Sequence, residues 1–427
     1  MVIRIGLGVV LASVMIVGIV VGITVVWNGG DESARVSGVA GDSQSPDFIR
    51  GVLGGFTVPD PTSVAVGPDG RLYVAQVDGA IFALTLDGEG REVTDVEVVA
   101  TQDAFENVLG IAFNPVDDED PVTLYVSSTK MNGGPLEDPY MGKVTRLTGE
   151  GFTEREDIIT GLPSSTIIHG TNGLAFDEDG LLYIQQGSTT NAGVAAAGFR
   201  AETPLSGATL VADVNARGFD GRVTYDPPGV AGDTVNQAGG DVHVFAFGMR
   251  NPYDIVVHSN GQIYGTDNGP NPDETGPAST GCATQGVSPW TLDELNLIVE
   301  GAYYGHPNRN RARLDPRQCI FHSPEEESGQ DWTAPLTLLP ISADGLVEYT
   351  SDAHDGDFEG DLFVVSWSTD VVTRIVLSRD GDAVDEREEV AADMEGSVDI
   401  TMGPDGTLYI AEFSGDRIAY LAPDTDD

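Results

Sequence analysis

SVAVGPDGRLYVAQ (63–76), GLAFDEDGLLYIQQG (173–187), DIVVHSNGQIYGTDNG (254–269) and VDITMGPDGTLYIAEF (398–413) are copies of one phrase: a short apolar strand, an Asp-Gly or Asn-Gly turn, then a Leu-Tyr-Val type strand. The Gly supplies the positive φ of a tight hairpin, and the aromatic and β-branched residues around it suit a pleated, half-buried surface. Weaker copies, LGIAFNPVDDEDPVTLYVSST (109–129) and FEGDLFVVSWSTD (358–370), bring the count to six. Further strand-like stretches follow most copies: AIFALTL (80–86), KVTRLTG (143–149), VVTRIVL (371–377) and RIAYLAP (417–423). Several strands per repeat of about 40–50 residues mark β-propeller blades, so the expected fold is an all-β, six-bladed β-propeller. A two-sheet sandwich would not account for one phrase used six times. FIRGVLGGFTV (48–58) is the expected strand closing the ring, and the wider spacing between later copies predicts long loops around 188–240 and 271–345.

Outward from the repeat, the 427 residues carry 68 acids against 21 Lys plus Arg, a net charge of -47. Such a surface repels polyanions, which argues against nucleic acid and an anionic membrane face as partners. With 40% hydrophobic residues the charge does not signal disorder. Lys130 and Lys143 are the only lysines. This imbalance fits a halophilic setting, where screening falls to about 3 Å at 1 M salt and relieves self-repulsion; a genome that favours Arg codons is the alternative. Residues 5–27, IGLGVVLASVMIVGIVVGITVVW, form an uncharged apolar run long enough for an N-terminal transmembrane helix. Arg4 before it and Asp31 and Glu32 after it place the rest of the chain on the extracytoplasmic side. The expected organisation is therefore an anchor (1–27), a flexible linker (28–47) and the propeller (48–427). A cleaved signal peptide is the other reading of the leader, with VSGVA (36–40) as its cut site. Cys282 and Cys319 lie in the outward part, where they could form a bridge or remain two thiols.

Among the six histidines, His169 in IIHGTNG precedes a repeat strand, beside Gly170 and Gly173, which let another group approach. Taken alone, such a histidine is more often structural than catalytic. Arg250 and Asn251 in FAFGMRNPYD (245–254) occupy the same blade-relative place. Arg offers five donors to a carbonyl or carboxylate, and it equally serves as a salt bridge or cap in an acidic protein. TDNGPNPDE (266–274), DELNL (293–297) and GAYYGHP (301–307) are dense in the oxygen ligands that hard cations such as Ca²⁺ take, without EF-hand spacing. His306 and His322, with the two cysteines, lack a regular zinc spacing.

HGTNGLAFDEDGLLYIQQG, FGMRNPYDIVVHSNGQIYGTDNGPN and DELNLIVEGAYYGHP, in that order and within a six-fold repeat, resemble the glucose/sorbosone dehydrogenase family of six-bladed propellers. The likeness covers roughly residues 50–423. It implies an enzyme that oxidises an aldose sugar or related polyol with pyrroloquinoline quinone (PQQ) and Ca²⁺. By the same resemblance, His169 is the base that takes the sugar hydroxyl proton, while Arg250 and Asn251 hold the quinone carbonyl region. Gly269 and Pro270 would offer carbonyl oxygens to Ca²⁺, and Asp293, Glu294 and Tyr304 match the remainder of the calcium region.

The sequence departs from the family pattern in three places. Ser368 in SWSTD (366–370) stands where the family has a Lys, GSVDI (396–400) lacks a pair of Arg, and residues including Cys282 are inserted before DELNL. A tricarboxylate needs nearby cations, and Arg374 or the Arg309, Arg311, Arg313 and Arg317 cluster are the candidates to replace those lost. The alternative function is a non-catalytic cell-surface propeller that binds a glycan or protein; a lactonase-type metal hydrolase is a third. The sequence does not name the electron acceptor.

Overall fold

Each strong copy of the phrase folds as the two innermost strands of a four-stranded antiparallel sheet. The computed structural model describes residues 47–118, 120–130, 138–164, 169–190, 202–229, 235–269, 292–306 and 333–424. Among them are six such sheets and one two-stranded hairpin. The inner strands, Pro61–Val66, Asn107–Ala112, Thr171–Phe176, Asn251–Val257, Ala343–Glu348 and Ser397–Met402, open blades 1 to 6 in order. Each inner strand packs against the inner strands of both neighbouring blades, sixth against first included, so the ring is closed. The six-bladed propeller expected from the repeat is what the chain forms.

The turn chemistry explains why the phrase recurs. Gly70, Gly180, Gly261 and Gly406 all sit at φ between +76° and +83°. In each turn the Gly N–H donates to the carbonyl three residues back, as from Gly70 to Gly67 at 2.9 Å. The result is a type I turn followed by a left-handed residue, the three-residue hairpin loop. The repeat aromatic, Tyr73, Tyr125, Tyr183, Tyr264, Phe363 or Tyr409, lies buried between its blade and a neighbour. Six apolar clusters result, one at each blade-to-blade interface. At about 25 cal/mol per Å² of apolar surface removed from water, these interfaces are the main stabilising term.

Closure is by the predicted strand, shortened to Phe48–Val52, which pairs with Arg417–Pro423 from Phe48↔Pro423 to Val52↔Ala419. Phe48 is buried against Tyr349, Phe358 and Phe363 of blade 5, so the clasp also ties blade 6 to its neighbour. The fifth copy of the phrase differs from expectation: FEGDLFVVSWSTD supplies only the second strand, Leu362–Ser366. Its inner partner ADGLVE (343–348) stands apart because residues 349–361 replace the short Gly turn.

The stretches expected to be long loops contain strands. Ala208–Ala212 is the third strand of blade 3 and Asp293–Leu297 that of blade 4, while Thr337–Leu339 is the outer edge of blade 4. A hairpin, Thr224–Asp226 with Asn236–Gly239, leaves blade 3 and docks on blade 2, where Tyr225 stacks on Tyr140 at 3.7 Å. The chain just before it runs beside the outer strand of blade 2, with Thr160 N–H donating to the Gly221 carbonyl. The apolar run 5–27, the linker up to residue 46, both cysteines, Pro270, and Arg309 to Arg317 lie outside the described residues. Among those described, no helix is long and apolar enough to cross a membrane.

Candidate functional site

All six inner strands slip register at their entry, between Pro61 and Ser63 in blade 1 and at the matching places in the others. A bulge of this kind re-aims a side chain. The bulges lie at one mouth of the ring, the face where the inner strands begin and the second strands end; there Asn172 Nδ2 donates across to the Pro252 carbonyl of blade 4 at 2.7 Å. Between the strands runs a cavity of about 180 Å³, lined in part by Tyr253, Asp254 and Asp399.

His169 enters this face just ahead of blade 3 and is only 3% exposed. Its Nδ1 lies 2.8 Å from the Ser188 carbonyl oxygen and 3.1 Å from Ser188 Oγ. A carbonyl can only accept, so Nδ1 carries the proton and Nε2 holds the lone pair. No partner occupies Nε2 among the described residues. Burial, and after it the Arg250 charge, holds the imidazole well below its usual range, so it is neutral at physiological pH.

Arg250 and Asn251 open blade 4 beside it. The buried Asp267 carboxylate accepts both their backbone N–H groups, at 3.1 Å and 2.8 Å. The Arg250 guanidinium reaches the Asn268 carbonyl at 3.3 Å. Asn251 Oδ1 accepts from Asn172 Nδ2 at 3.0 Å, and Asn251 Nδ2 donates to Asn268 Oδ1 at 2.8 Å. Between His169 and Asn251 sits Gly187: a Cβ there would lie 2.5 Å from His169 Cβ and 2.9 Å from Asn251 Oδ1. Only a residue without a side chain lets the two approach.

The calcium-region residues divide. Asp293 Oδ1 accepts from Gly269 N–H at 2.8 Å, and Oδ2 from Ala343 N–H at 2.8 Å and Asn268 Nδ2 at 3.0 Å. Burial raises its pKa to about 6 against these hydrogen bonds. Asp293 thus fixes the backbone of Gly269 instead of presenting open oxygens. Glu294 is also buried but is the next residue on a strand, so it points to the opposite face and cannot join Asp293 on one ion. Tyr304 is a core residue between blades 3 and 4, its hydroxyl bonded to the Leu297 carbonyl and the Val299 N–H. Among the described residues no three His, Cys, Asp or Glu side chains gather as a metal site. Arg374 is likewise not brought to the cluster. On the third strand of blade 5 it pairs with Asp361 at 2.6 Å and lies 4.1 Å over the Phe358 ring. At their entries blades 4 to 6 carry the acids Asp254, Asp344 and Asp399, all raised in pKa chiefly by burial; Asp254 Oδ2 accepts from Leu346 N–H and Asp399 Oδ2 from Val64 N–H, each at 2.8 Å and each on the next blade.

Several residues that build this site escape the sequence reading. Three positions after the repeat aromatic stands a buried polar residue in every blade: Gln76, Ser128, Gln186, Asp267, Ser366 and Glu412. Gln186 holds the approach to His169, donating to the Pro163 and Gly170 carbonyls at 3.1 Å. Asp267 does the same for Arg250 and Asn251. Aligning the six copies on the aromatic exposes this position.

Residues 58–418 match the family model described as Glucose / Sorbosone dehydrogenase. The chain belongs to that family. A quinoprotein glucose dehydrogenase B from Acinetobacter calcoaceticus is 27% identical over 267 residues, 58% of this chain and 50% of that protein. The chain therefore spans about half the length of the curated relative it matches. Two solved structures share the fold. The PQQ-bound aldose sugar dehydrogenase of Streptomyces coelicolor superposes with TM-score 0.58 at 17% identity, covering 90% of this chain and 100% of that one. The soluble aldose sugar dehydrogenase of Escherichia coli, in apo form, gives TM-score 0.62 at 17% identity over 88% and 99%.

Proposed function

We propose that this family member oxidises a sugar or related polyol with pyrroloquinoline quinone. The observation that carries the reading is a neutral, buried His169 whose Nε2 has no partner among the described residues, next to Arg250 and Asn251, in the family's own motifs. The blade 3 and 4 half of the mouth suits a quinone: Arg250 and Asn251 supply donors for a carbonyl, and the gap at Gly187 leaves their approach unobstructed. When bound, the quinone supplies the two-electron oxidant. His169 Nε2 takes the proton of the hydroxyl being oxidised, while Nδ1–H stays on the Ser188 carbonyl and keeps the ring in register. Arg250 provides fixed positive charge where negative charge develops, at a position buried from solvent.

Calcium enters this reading through backbone oxygen, not through carboxylates. Gly269, held by Asp293, and its neighbour Pro270 are the residues that would offer it. The extracytoplasmic location and the anchor at residues 5–27 belong to the same proposal and rest on the apolar run and its flanking charges.

The acids at the entries of blades 4 to 6, together with Ser368 in place of Lys, favour one other reading: a propeller that binds a glycan or protein without turnover. Calorimetric titration of the full chain with PQQ in high salt, with and without Ca²⁺, separates the two. Calcium-dependent binding followed by sugar-dependent dye reduction supports the enzyme. Folded protein that binds glycan and no quinone overturns it.

A further inference from the structure

The Glu202 carboxylate is buried at 1% exposure, outside every motif that points to the site. It nevertheless gathers three separate pieces of chain. Oε2 accepts from Thr189 N–H at 3.0 Å, Thr189 Oγ1 at 3.2 Å and Ser206 Oγ at 2.6 Å. Oε1 accepts from Thr190 N–H at 3.0 Å, from the Thr190 hydroxyl and from His306 Nε2 at 3.0 Å. These hydrogen bonds, that of His306 foremost, hold Glu202 far below the usual carboxylate range despite burial.

The segment so clamped is the one that holds His169. Ser188, whose carbonyl receives the His169 Nδ1 proton, immediately precedes Thr189, and its hydroxyl donates to the Thr190 carbonyl at 2.7 Å. From the other side, Ser188 N–H donates to the Arg250 carbonyl at 2.7 Å. The Ser188–Thr190 turn is thus pinned between Arg250 and Glu202, and the imidazole hangs from it. We propose that Glu202 is the positioning residue of this site: a buried anion that fixes the Ser188–Thr190 turn and through it the tautomer and orientation of His169.

The hydrogen-bond pattern demands a carboxylate. One backbone N–H addresses each oxygen, Thr189 on Oε2 and Thr190 on Oε1. A glutamine amide, flipped either way, must set its NH₂ against a backbone N–H, which cannot accept. Glu202→Gln should therefore release the turn although it is nearly isosteric.

The role rests on the reading of His169 as the base, but its test does not. With six histidines in the chain, ¹⁵N-histidine labelling of the full-length protein and spectra of histidine-substituted variants identify the His169 imidazole. In the parent it should show one neutral tautomer with the proton on Nδ1. In Glu202→Gln it should show a mixture of tautomers, while Glu202→Asp, which keeps two acceptor oxygens, restores most of the Nδ1–H form. If the Gln variant does not fold, Thr190→Val removes one donor to Glu202 and should yield a smaller admixture. An unchanged His169 tautomer in a folded Gln variant, or in the Val variant where that is the one that folds, overturns the proposal. Where sugar oxidation is measurable, kcat should fall by about 10²-fold in Glu202→Gln with KM nearly unchanged. A protein without that activity would refute the enzyme reading and leave the imidazole result standing.

Discussion

Gly187→Ala isolates what the convergence at the mouth is worth. The added Cβ would stand 2.5 Å from His169 Cβ and 2.9 Å from Asn251 Oδ1, where ordinary contacts begin at 3.4 Å. His169 must therefore retreat by about 0.9 Å, or Asn251 and the strand entry must give way in its place. Gly187 is not among the residues with positive φ, so backbone strain adds nothing and the effect is steric. Overpacking of this size costs about 1–3 kcal/mol of stability. Misplacing a reacting group by about 1 Å lowers the rate roughly 10²-fold. The assay is sugar-dependent dye reduction by quinone-reconstituted protein, with a thermal melt as the control for folding. The expected result is a modest loss of melting temperature and a large loss of kcat/KM. A variant that keeps kcat/KM within about threefold of the parent would show that the His169–Asn251 approach is not what catalysis uses.

Four further outcomes are expected. His169→Ala should lower kcat by about 10²–10⁴-fold while quinone binding, measured by calorimetry, persists. Arg374→Ala should leave quinone affinity unchanged and lower stability by about 1–3 kcal/mol, because it strands the buried Asp361; weakened quinone binding would return Arg374 to the site. Asp399 has its pKa raised to about 6 by burial, so its contribution to stability is present at low pH and is lost as pH rises through the folded-state value. Asp399→Asn should therefore lose the fall in stability that the parent shows between about pH 4 and pH 6, and should be less stable by about 1–3 kcal/mol at low pH because its NH₂ faces the Val64 or Ile400 N–H; both are read from melting temperature against pH. Finally, melting temperature should climb between 0.1 and 3 M salt if the -47 charge reflects a high-salt setting, and a flat profile would sink that idea.

What could be read from the sequence follows the range of the physics involved. The blades were legible because the turn Gly, the repeat aromatic and the alternation around them are local requirements, repeated until chance is excluded. The fifth inner strand escaped because residues 349–361 replace that turn. His169, Arg250 and Asn251 were legible as members of motifs, and the structure brings these three together. Arg374 was selected for its charge alone, and Asp361 and Phe358 hold it elsewhere. Asp293, Glu294 and Tyr304 match the calcium region by resemblance alone; successive places on one strand set Asp293 and Glu294 on opposite faces, and Tyr304 packs in the core. Glu202 and His306 lie 104 residues apart, and nothing local links them; only the packing of blade 3 against blade 4 makes them partners.

The clasp that completes blade 6 has a mechanical side. Phe48 lies opposite Pro423, and beyond them Asp424 N–H still reaches the Asp47 carbonyl at 2.9 Å. Both ends of the propeller's chain therefore leave from the same end of one antiparallel pair. Force applied between them would peel that pair apart one rung at a time, beginning at Phe48, instead of loading all its rungs at once in shear. A ring whose six interfaces resist heat together would then yield at its seam to a small pull, and a short covalent link between residues 47 and 424 would remove that weakness without touching the mouth.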